Sequence, residues 1–288
     1  MTTEIANRDF RRPGRGRGIL DVPKHTFLLR LLVDKELQVR YRGSILGILW
    51  SYVKPGVQFI VFYLALGVFL DLNKNLENYA VYLFSGIVLI NYFGEAFGNG
   101  ARCFVGNGDL IKKIYLPREL FSVSTIGVGL IHFAPQLLVL LIADFVVGWH
   151  PNPIQVACAV VGMCILTAFA YGLGLIFGVA NVFFRDSENL VDLLLMVLTW
   201  VSPIMYAWER VADKAPEWLL HLYLANPITV SVELFHYAFW YPTLEYEWHV
   251  PPHLLSLWTP LAVVIAIVTV VVGDLLFRKF EGNFAQEL

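Results

Sequence analysis

Residues 108–119 read GDLIKKIYLPRE. They lie between two apolar stretches, 80–104 and 120–149, each longer than the roughly 20 residues that carry a helix across a bilayer. A connection between two spans needs only to be short and soluble, yet this one carries helical start and stop signals. Asp109 is an acceptable N-cap, and Pro117 ends a helix because its ring removes a donor and clashes with the preceding turn. Leu110, Ile111, Ile114 and Tyr115 share one face, and Lys112 and Lys113 the other. Two turns do not hold themselves together in water. The spacing therefore predicts a helix that needs a support, either a cleft in a soluble partner or the lipid headgroups.

Composition agrees with a membrane setting. Of 288 residues 57% are hydrophobic and 15% charged, against about 25% charged in a soluble domain, and the mean hydropathy is +0.62. Apolar segments at 45–70, 80–104, 120–149, 154–184, 189–208 and 254–277 predict an all-α integral membrane fold of six transmembrane helices. Lys54-Pro55 interrupts the first, a kink that membrane helices tolerate. Eighteen of the 21 Lys and Arg fall on one side of this topology, eleven of them in residues 1–54. The excess of basic residues places both termini in the cytoplasm of a multi-pass plasma-membrane protein. The basic N-terminal region is too long for a signal peptide, and no small-residue cleavage site follows the first apolar run.

Three further regions stand out. Residues 1–24, with RRPGRGRG, read as a basic, disordered arm. Residues 25–43 read as an amphipathic helix with Phe27, Leu28, Leu31, Leu32 and Val39 on one face, where Lys35 intrudes, lying on the membrane or docking a partner. The outside connection 209–253 is apolar, with Trp218, Leu219, Leu222 and Leu224 before Asn226-Pro227 and a second apolar helix from Ile228 to about Trp240. Two such short pieces predict a re-entrant helical hairpin; two additional spans would also preserve parity.

Catalytic signatures are missing. No GxxxxGK[ST], HExxH, GxSxG or CxxC is present. The seven histidines show no ligand spacing on a helix, so no metal site is expected, and the three cysteines make no disulfide framework. Ionisable residues within spans are few: Asp144, Asp192 and Asp274 near span ends, and Glu95 deeper. Neither a nucleotide site nor a buried charge relay is evident, so energy for any transport is expected from another chain.

Six stretches carry a resemblance: RYRGSILGILWSYVKP at 40–55, GDLIKKIYLPREL at 108–120, VFFRDSENLVDLLL at 182–195, SPIMY at 202–206, NPIT at 226–229 and EGNFAQEL at 281–288. Together they resemble the permease subunit of type-2 ABC exporters. Within that group the similarity is to the O-antigen-type (Wzm-type) polysaccharide exporters, which include teichoic acid exporters, and in detail to the galactan-exporting permeases of actinobacterial cell walls. The resemblance implies a homodimer of six-span subunits (the membrane domain being 44–288) with two ATPase subunits, which would bind the ATP and Mg. It makes 108–119 a coupling helix, with Asp109, Leu110, Ile111, Lys112, Lys113, Ile114, Tyr115 and Arg118 facing the ATPase. It makes Phe27, Leu28, Leu31 and Leu32 part of an interface helix, and 209–253 an outer gate. Spans one and five would line a channel for a polyprenyl-pyrophosphate-linked polysaccharide, and no nucleic acid is expected as a partner.

The residues can be weighed against that implication. Sugar faces stack on rings, so Phe59, Phe62 and Tyr63 of span one and Trp200 and Tyr206 of span five are candidates to line the channel. Aromatic belts at membrane interfaces account for the same composition. Arg40, Arg42 and Lys54 cluster at the inner mouth, where they would meet a pyrophosphate or snorkel to lipid phosphate. The rival readings are an ABC permease for a small lipid or drug, which more often carries a large outer domain or a fused ATPase; an integral-membrane enzyme acting on lipid-linked sugars, which would need converging carboxylates or histidines; and a secondary carrier, which would need more buried charge.

Overall fold

The computed structural model describes residues 18–74, 76–114, 116–245, 251 and 253–288, and every regular element in them is helical. In chain order they are α1 (Thr26–Tyr41), α2 (Trp50–Phe62), α3 (Tyr79–Gly106), α4 (Gly108–Lys113), α5 (Glu119–Val147), α6 (Pro153–Phe183), α7 (Ser187–Val201), α8 (Glu209–Ala212), α9 (Glu217–Ala225), α10 (Pro227–Phe239), α11 (Thr259–Phe280) and α12 (Phe284–Glu287). The arm expected to be disordered over 1–24 is shorter than read, since Gly18–His25 is a 3₁₀ helix; residues 1–17, with five of the basic residues, and Tyr115 lie outside the described residues.

Among the described residues five helices are long and apolar enough to cross a membrane: Gly47–Phe69, Tyr79–Gly106, Glu119–Val147, Pro153–Phe183 and Leu254–Asn283. The first runs through Pro55 unbroken and finishes in a π-helical turn, Tyr63–Phe69. The segment expected to cross at 189–208 differs. Helix α7 has 15 residues and stops at Val201, because the ring of Pro203 forces Ser202 out of the helical region, to φ −84° and ψ 152°. The carbonyls released by this break find tyrosine hydroxyls: Tyr82 Oη donates to Pro203 O at 2.8 Å and Tyr206 O at 2.9 Å, and Tyr79 Oη to Met205 O at 2.9 Å.

Helix α6 is the centre of the bundle, packed against α3, α10 and α11. Its start is a capping box, with Asn152 Oδ1 accepting from Gln155 N and Gln155 Oε1 from Asn152 N, both at 2.8 Å, and Pro153 in the first turn. Glycines bring the helices together. A Cβ on Gly172 would stand 2.6 Å from the carbonyl carbon of Thr269 in α11, and one on Gly100 in α3 would stand 3.1 Å from Gly174 Cα. Small residues of this kind let backbones touch where lipid supplies no hydrophobic drive between helices.

The described residues of the 209–253 connection include three α-helices, α8, α9 and α10, and a 3₁₀ turn, Tyr241–Thr243. Asn226 caps α10, its Oδ1 accepting from Ile228 N at 3.1 Å, with Pro227 at the first position. All thirteen residues of α10 are buried. With nine residues in α9 and thirteen in α10, neither reaches spanning length.

Replacing Gly172 by Val is expected to lower stability by about 3 kcal/mol or to prevent folding, because the added atoms meet backbone rather than a side chain that can move. Thermal unfolding in detergent checks this, with Gly56→Ala, whose Cβ meets nothing within 4 Å, keeping the wild-type melting temperature or raising it slightly.

Candidate functional site

At the end of the bundle that holds α1, a polar cluster joins four elements. Arg40 Nη1 donates to Glu95 Oε2 at 2.7 Å and lies 3.1 Å from His132 Nδ1. The Tyr41 hydroxyl is 3.0 Å from His132 Nε2 and 3.1 Å from Ser51 Oγ. Asn99 Nδ2 also donates to Glu95 Oε2, at 2.7 Å. Glu95 thus takes charge from α1 and an amide from its own helix, and His132 is held on both ring nitrogens.

Beside the cluster is a cavity of about 710 Å³. Helix α2 contributes Trp50, Ser51, Lys54, Pro55 and Gln58; α3 contributes Asn91, Glu95, Asn99 and Arg102; α5 contributes His132 and Gln136; α7 contributes Leu195 and Thr199. Arg102 anchors α7 to α3, with Nη2 2.6 Å from Asp192 Oδ1 and Nε 3.7 Å from Glu188 Oε2. The walls mix amides, hydroxyls, cations and the Glu95 carboxylate with the apolar side chains of Trp50, Pro55 and Leu195, so a ligand there meets hydrogen-bonding groups beside apolar surface.

Of the basic residues named from sequence, Arg40 and Lys54 line this cavity, whereas Arg42 is exposed and outside its walls. Tyr41, His132, Gln136 and Asn99 were not picked out. A signal for them existed: Asn91, Glu95, Asn99 and Arg102 recur at helical spacing along α3, and His132 and Gln136 along α5. Asp144, read as a residue near a span end, is fully buried, and neither carboxylate oxygen has a hydrogen-bond partner among the described residues.

The aromatic candidates lie elsewhere. None of Phe59, Phe62, Tyr63, Trp200 and Tyr206 lines the polar cavity. Phe59 stacks on Tyr63 at 5.7 Å, and Tyr63 on Tyr79 at 6.2 Å. Phe62 meets Trp200 edge-on at 6.3 Å, joining α2 to α7, and Tyr206 Oη donates to Trp200 O at 2.8 Å.

The segment 108–119 departs from its expected form. Helix α4 has six residues, Gly108–Lys113. Asn107, not Asp109, is the N-cap, and Asp109 sits in the first turn. The helix ends where Ile114 becomes extended, three residues before Pro117. The apolar face is divided. Ile111 is buried in a cluster with Leu32, Phe104, Leu120 and Phe284, and Leu110 packs against it. Ile114 is 52% exposed, as are Asp109, Lys112 and Lys113 in large part, while Arg118 is half-buried. The helix therefore finds part of its groove in its own chain, against α12 and Leu288.

Helix α1 is attached to the same place. Leu32 is buried and Leu28 half-buried, whereas Phe27 and Leu31 are exposed. Lys35, the intruder on the apolar face, is the fastening: its Nζ donates to Asn107 Oδ1 at 2.5 Å and to Glu36 Oε1 at 2.9 Å. Asn107 Nδ2 donates in turn to Cys103 O at 2.9 Å and Glu36 Oε1 at 3.3 Å. Removing this side chain, as Asn107→Ala, takes away the acceptor that ties Lys35 to the start of α4 and leaves the ammonium only Glu36 on its own helix. Amide exchange in α4 is expected to quicken about tenfold, with that of the α6 core unchanged; hydrogen–deuterium exchange followed by mass spectrometry reads both.

Over residues 28–240 the chain matches the ABC-2 type transporter family. It is 29% identical over 264 residues to the O-antigen export system permease protein RfbA of Klebsiella pneumoniae, covering 91% of this chain and 95% of that protein. A protein of the same name from Myxococcus xanthus is 29% identical over 204 residues, 71% of this chain and 77% of the relative. The polysialic acid transport protein KpsM of Escherichia coli is 22% identical over 201 residues, 69% and 76% of the two chains. By the family match over most of its length, the chain belongs to the ABC-2 type transporters, as a membrane transport subunit and not an enzyme.

Proposed function

We infer that the chain is the channel-forming permease subunit of an ATP-driven exporter that moves a lipid-linked polysaccharide from the cytoplasm across the plasma membrane. The observation that carries the reading is the polar, cation-bearing cavity of about 710 Å³ at the foot of α2 and α7, in a chain similar to permeases named for O-antigen export. A polymer of sugars needs hydrogen-bonding walls that hold no single position tightly, and Asn91, Asn99, Gln136 and Thr199 supply them. Arg40 and Lys54 give the anionic linkage of a carrier lipid a place to rest, with Arg42 outside at the approach.

The functional unit on this reading is a homodimer with two ATPase subunits that hold ATP and Mg. Ser187–Trp208 completes the sixth crossing, with α7 and the Pro203 bend acting together, and both termini face the cytoplasm. Much of α2 and α7 is exposed in the single chain, including Ile60, Val61, Leu193, Val197 and Trp200. A second copy covers those faces, and Phe59, Phe62, Tyr63, Trp200 and Tyr206 become channel walls once two copies meet. The hairpin α8–α10 closes the outer end. A cell-wall galactan on a polyprenyl pyrophosphate is the substrate that best accords with the sequence resemblance.

Helix α4 is the contact with the ATPase. Since Ile111 belongs to the chain's own core, the informative changes are at the exposed positions. Lys112→Glu with Lys113→Glu and Ile114→Asp is expected to reduce co-purification of the ATPase more than tenfold and to stop export, with insertion and melting temperature unchanged. The function itself is tested by depleting the chain from its native cell. Lipid-linked polymer is expected to accumulate in inner-membrane vesicles; undiminished export after depletion would sink the reading.

A further inference from the structure

Residues 281–288, EGNFAQEL, continue α11 rather than trail from it. A 3₁₀ turn, Glu281–Asn283, leads directly into α12, and Leu288 N closes onto Phe284 O at 3.0 Å. A single turn of helix does not hold itself together in water. Phe284 supplies what the backbone lacks. Its side chain is fully buried. The ring centre lies 5.0 Å from that of Phe104 in α3 and 5.9 Å from that of Phe277 in α11. The Arg118 guanidinium stands over the same ring at 5.8 Å, close enough for a cation to be attracted by the ring face. Arg118 turns inward to do so, with its Nη1 buried.

Charge ties the head of the segment as well. Glu281 and Glu119 are both buried, and the charged groups around Glu281 are Glu119 and Asp274 against Arg118 and Arg278. Carboxylates at that depth depend on cations, so an outward swing of Arg118 would cost both of them. The segment meets α4 on its buried side. Ile111 and Phe284 belong to one apolar cluster, and α12 packs on α4. A Cβ on Gly108, the first residue of α4, would stand 3.6 Å from Leu288 Cβ. The support under α4 is thus an extension of α11, and α11 touches α6 so closely that a Cβ on Gly273 would stand 2.7 Å from Gly172 O.

We propose that residues 281–288 are the fixed seat of α4, with Phe284 as its positioning residue: they hold Ile111 so that Lys112, Lys113 and Ile114 are presented to the ATPase in one orientation. The proposal rests on the reading of α4 as the ATPase contact and names what sets its position. Phe284 acts through α4, since its own side chain is buried. The seat stays closed when the ATPase docks, because opening it would expose Phe104, Phe277 and Phe284 together and take Arg118 from Glu119 and Glu281.

The test uses the complete exporter in the depleted cell, rescued by each variant. Phe284→Ala is expected to quicken amide exchange in α4 about tenfold, with that of α6 unchanged, and to leave lipid-linked polymer accumulating as in the depleted cell. Phe284→Leu, which refills the apolar space, is expected to restore α4 protection and most of the export. The permanence of the seat is read from Gly108→Cys with Leu288→Cys, whose Cβ spacing lies within the about 3.5 to 4.5 Å that a disulfide spans. Treatment with copper phenanthroline is expected to link the pair, seen by peptide mass spectrometry, and the linked and reduced forms of this variant are expected to bring down the ATPase equally. Unchanged α4 exchange and normal export in Phe284→Ala overturn the proposal. Faster exchange in α4 and α6 alike also overturns it, since the ring then only stabilises the bundle. So does the absence of a cross-link, or loss of the ATPase on linking, which would mean that α12 has to leave α4 before the ATPase docks. If Phe284→Ala does not insert, the cross-link decides alone. A chain changed at Lys112, Lys113 and Ile114 that keeps its ATPase removes the reading of α4 as the contact; one that loses it, beside a Phe284→Ala chain that exports normally, removes the seat alone.

Discussion

The close approach of α6 to α3 and α11 is the contact on which the rest of the bundle depends. Helices in lipid gain nothing by hiding apolar side chains from a solvent that is itself apolar, so their association relies on shape. Gly172 and Gly273 let α6 and α11 touch backbone to backbone, and Gly100 and Gly174 do the same for α3 and α6. Four glycines on three helices make one rigid unit. The buried α10 lies on another part of the same unit, where a Cβ on Gly162 would stand 3.1 Å from Ser231 O.

What is left outside that unit is where a transporter has to change. Helices α2 and α7 have many exposed apolar side chains and are held at particular points. Arg102 holds α7 to α3, Tyr41 reaches Ser51 at the foot of α2, and the Phe62–Trp200 contact joins the two helices further along. Such point attachments are charged or polar at the α1 end and aromatic towards the other. They permit rotation about the attachment more readily than interdigitated core packing does. The polar cavity lies between the rigid unit and these two helices, so any motion of α2 or α7 alters its volume.

The short helix α4 is held in place from two sides. Six residues do not make a stable helix, and here Ile111 anchors one side to the core while Lys35 and Asn107 tie its start to α1. The exposed Lys112, Lys113 and Ile114 thus sit on a helix tied to α1, and α1 carries Arg40 and Tyr41, which bond Glu95 and His132 at the cavity wall. These hydrogen bonds join separate helices, and each can be removed singly.

Hydropathy alone determined the class of this protein and most of its crossings, because a bilayer demands long, apolar helices and the chain records that demand directly. Local rules also placed the Asn226-Pro227 helix start correctly. They failed where a neighbour decides the outcome. Asp109 has the chemistry of an N-cap, yet Asn107 holds the position because Lys35 and Glu36 of α1 meet it there. Lys35 looked like a flaw in an apolar face and is a fastening, a fact that depends on a residue 72 positions away. The span expected at 189–208 breaks at Ser202, where the freed carbonyls have tyrosines from α3 to receive them. Arg40 and Lys54 were legible as inner-mouth cations, but Tyr41, His132 and Gln136 were not, since a polar residue in an apolar run shows that a site exists without showing which other helix completes it. Periodicity reports the face of one helix; only the packing of α6 against its neighbours decides which faces look at each other.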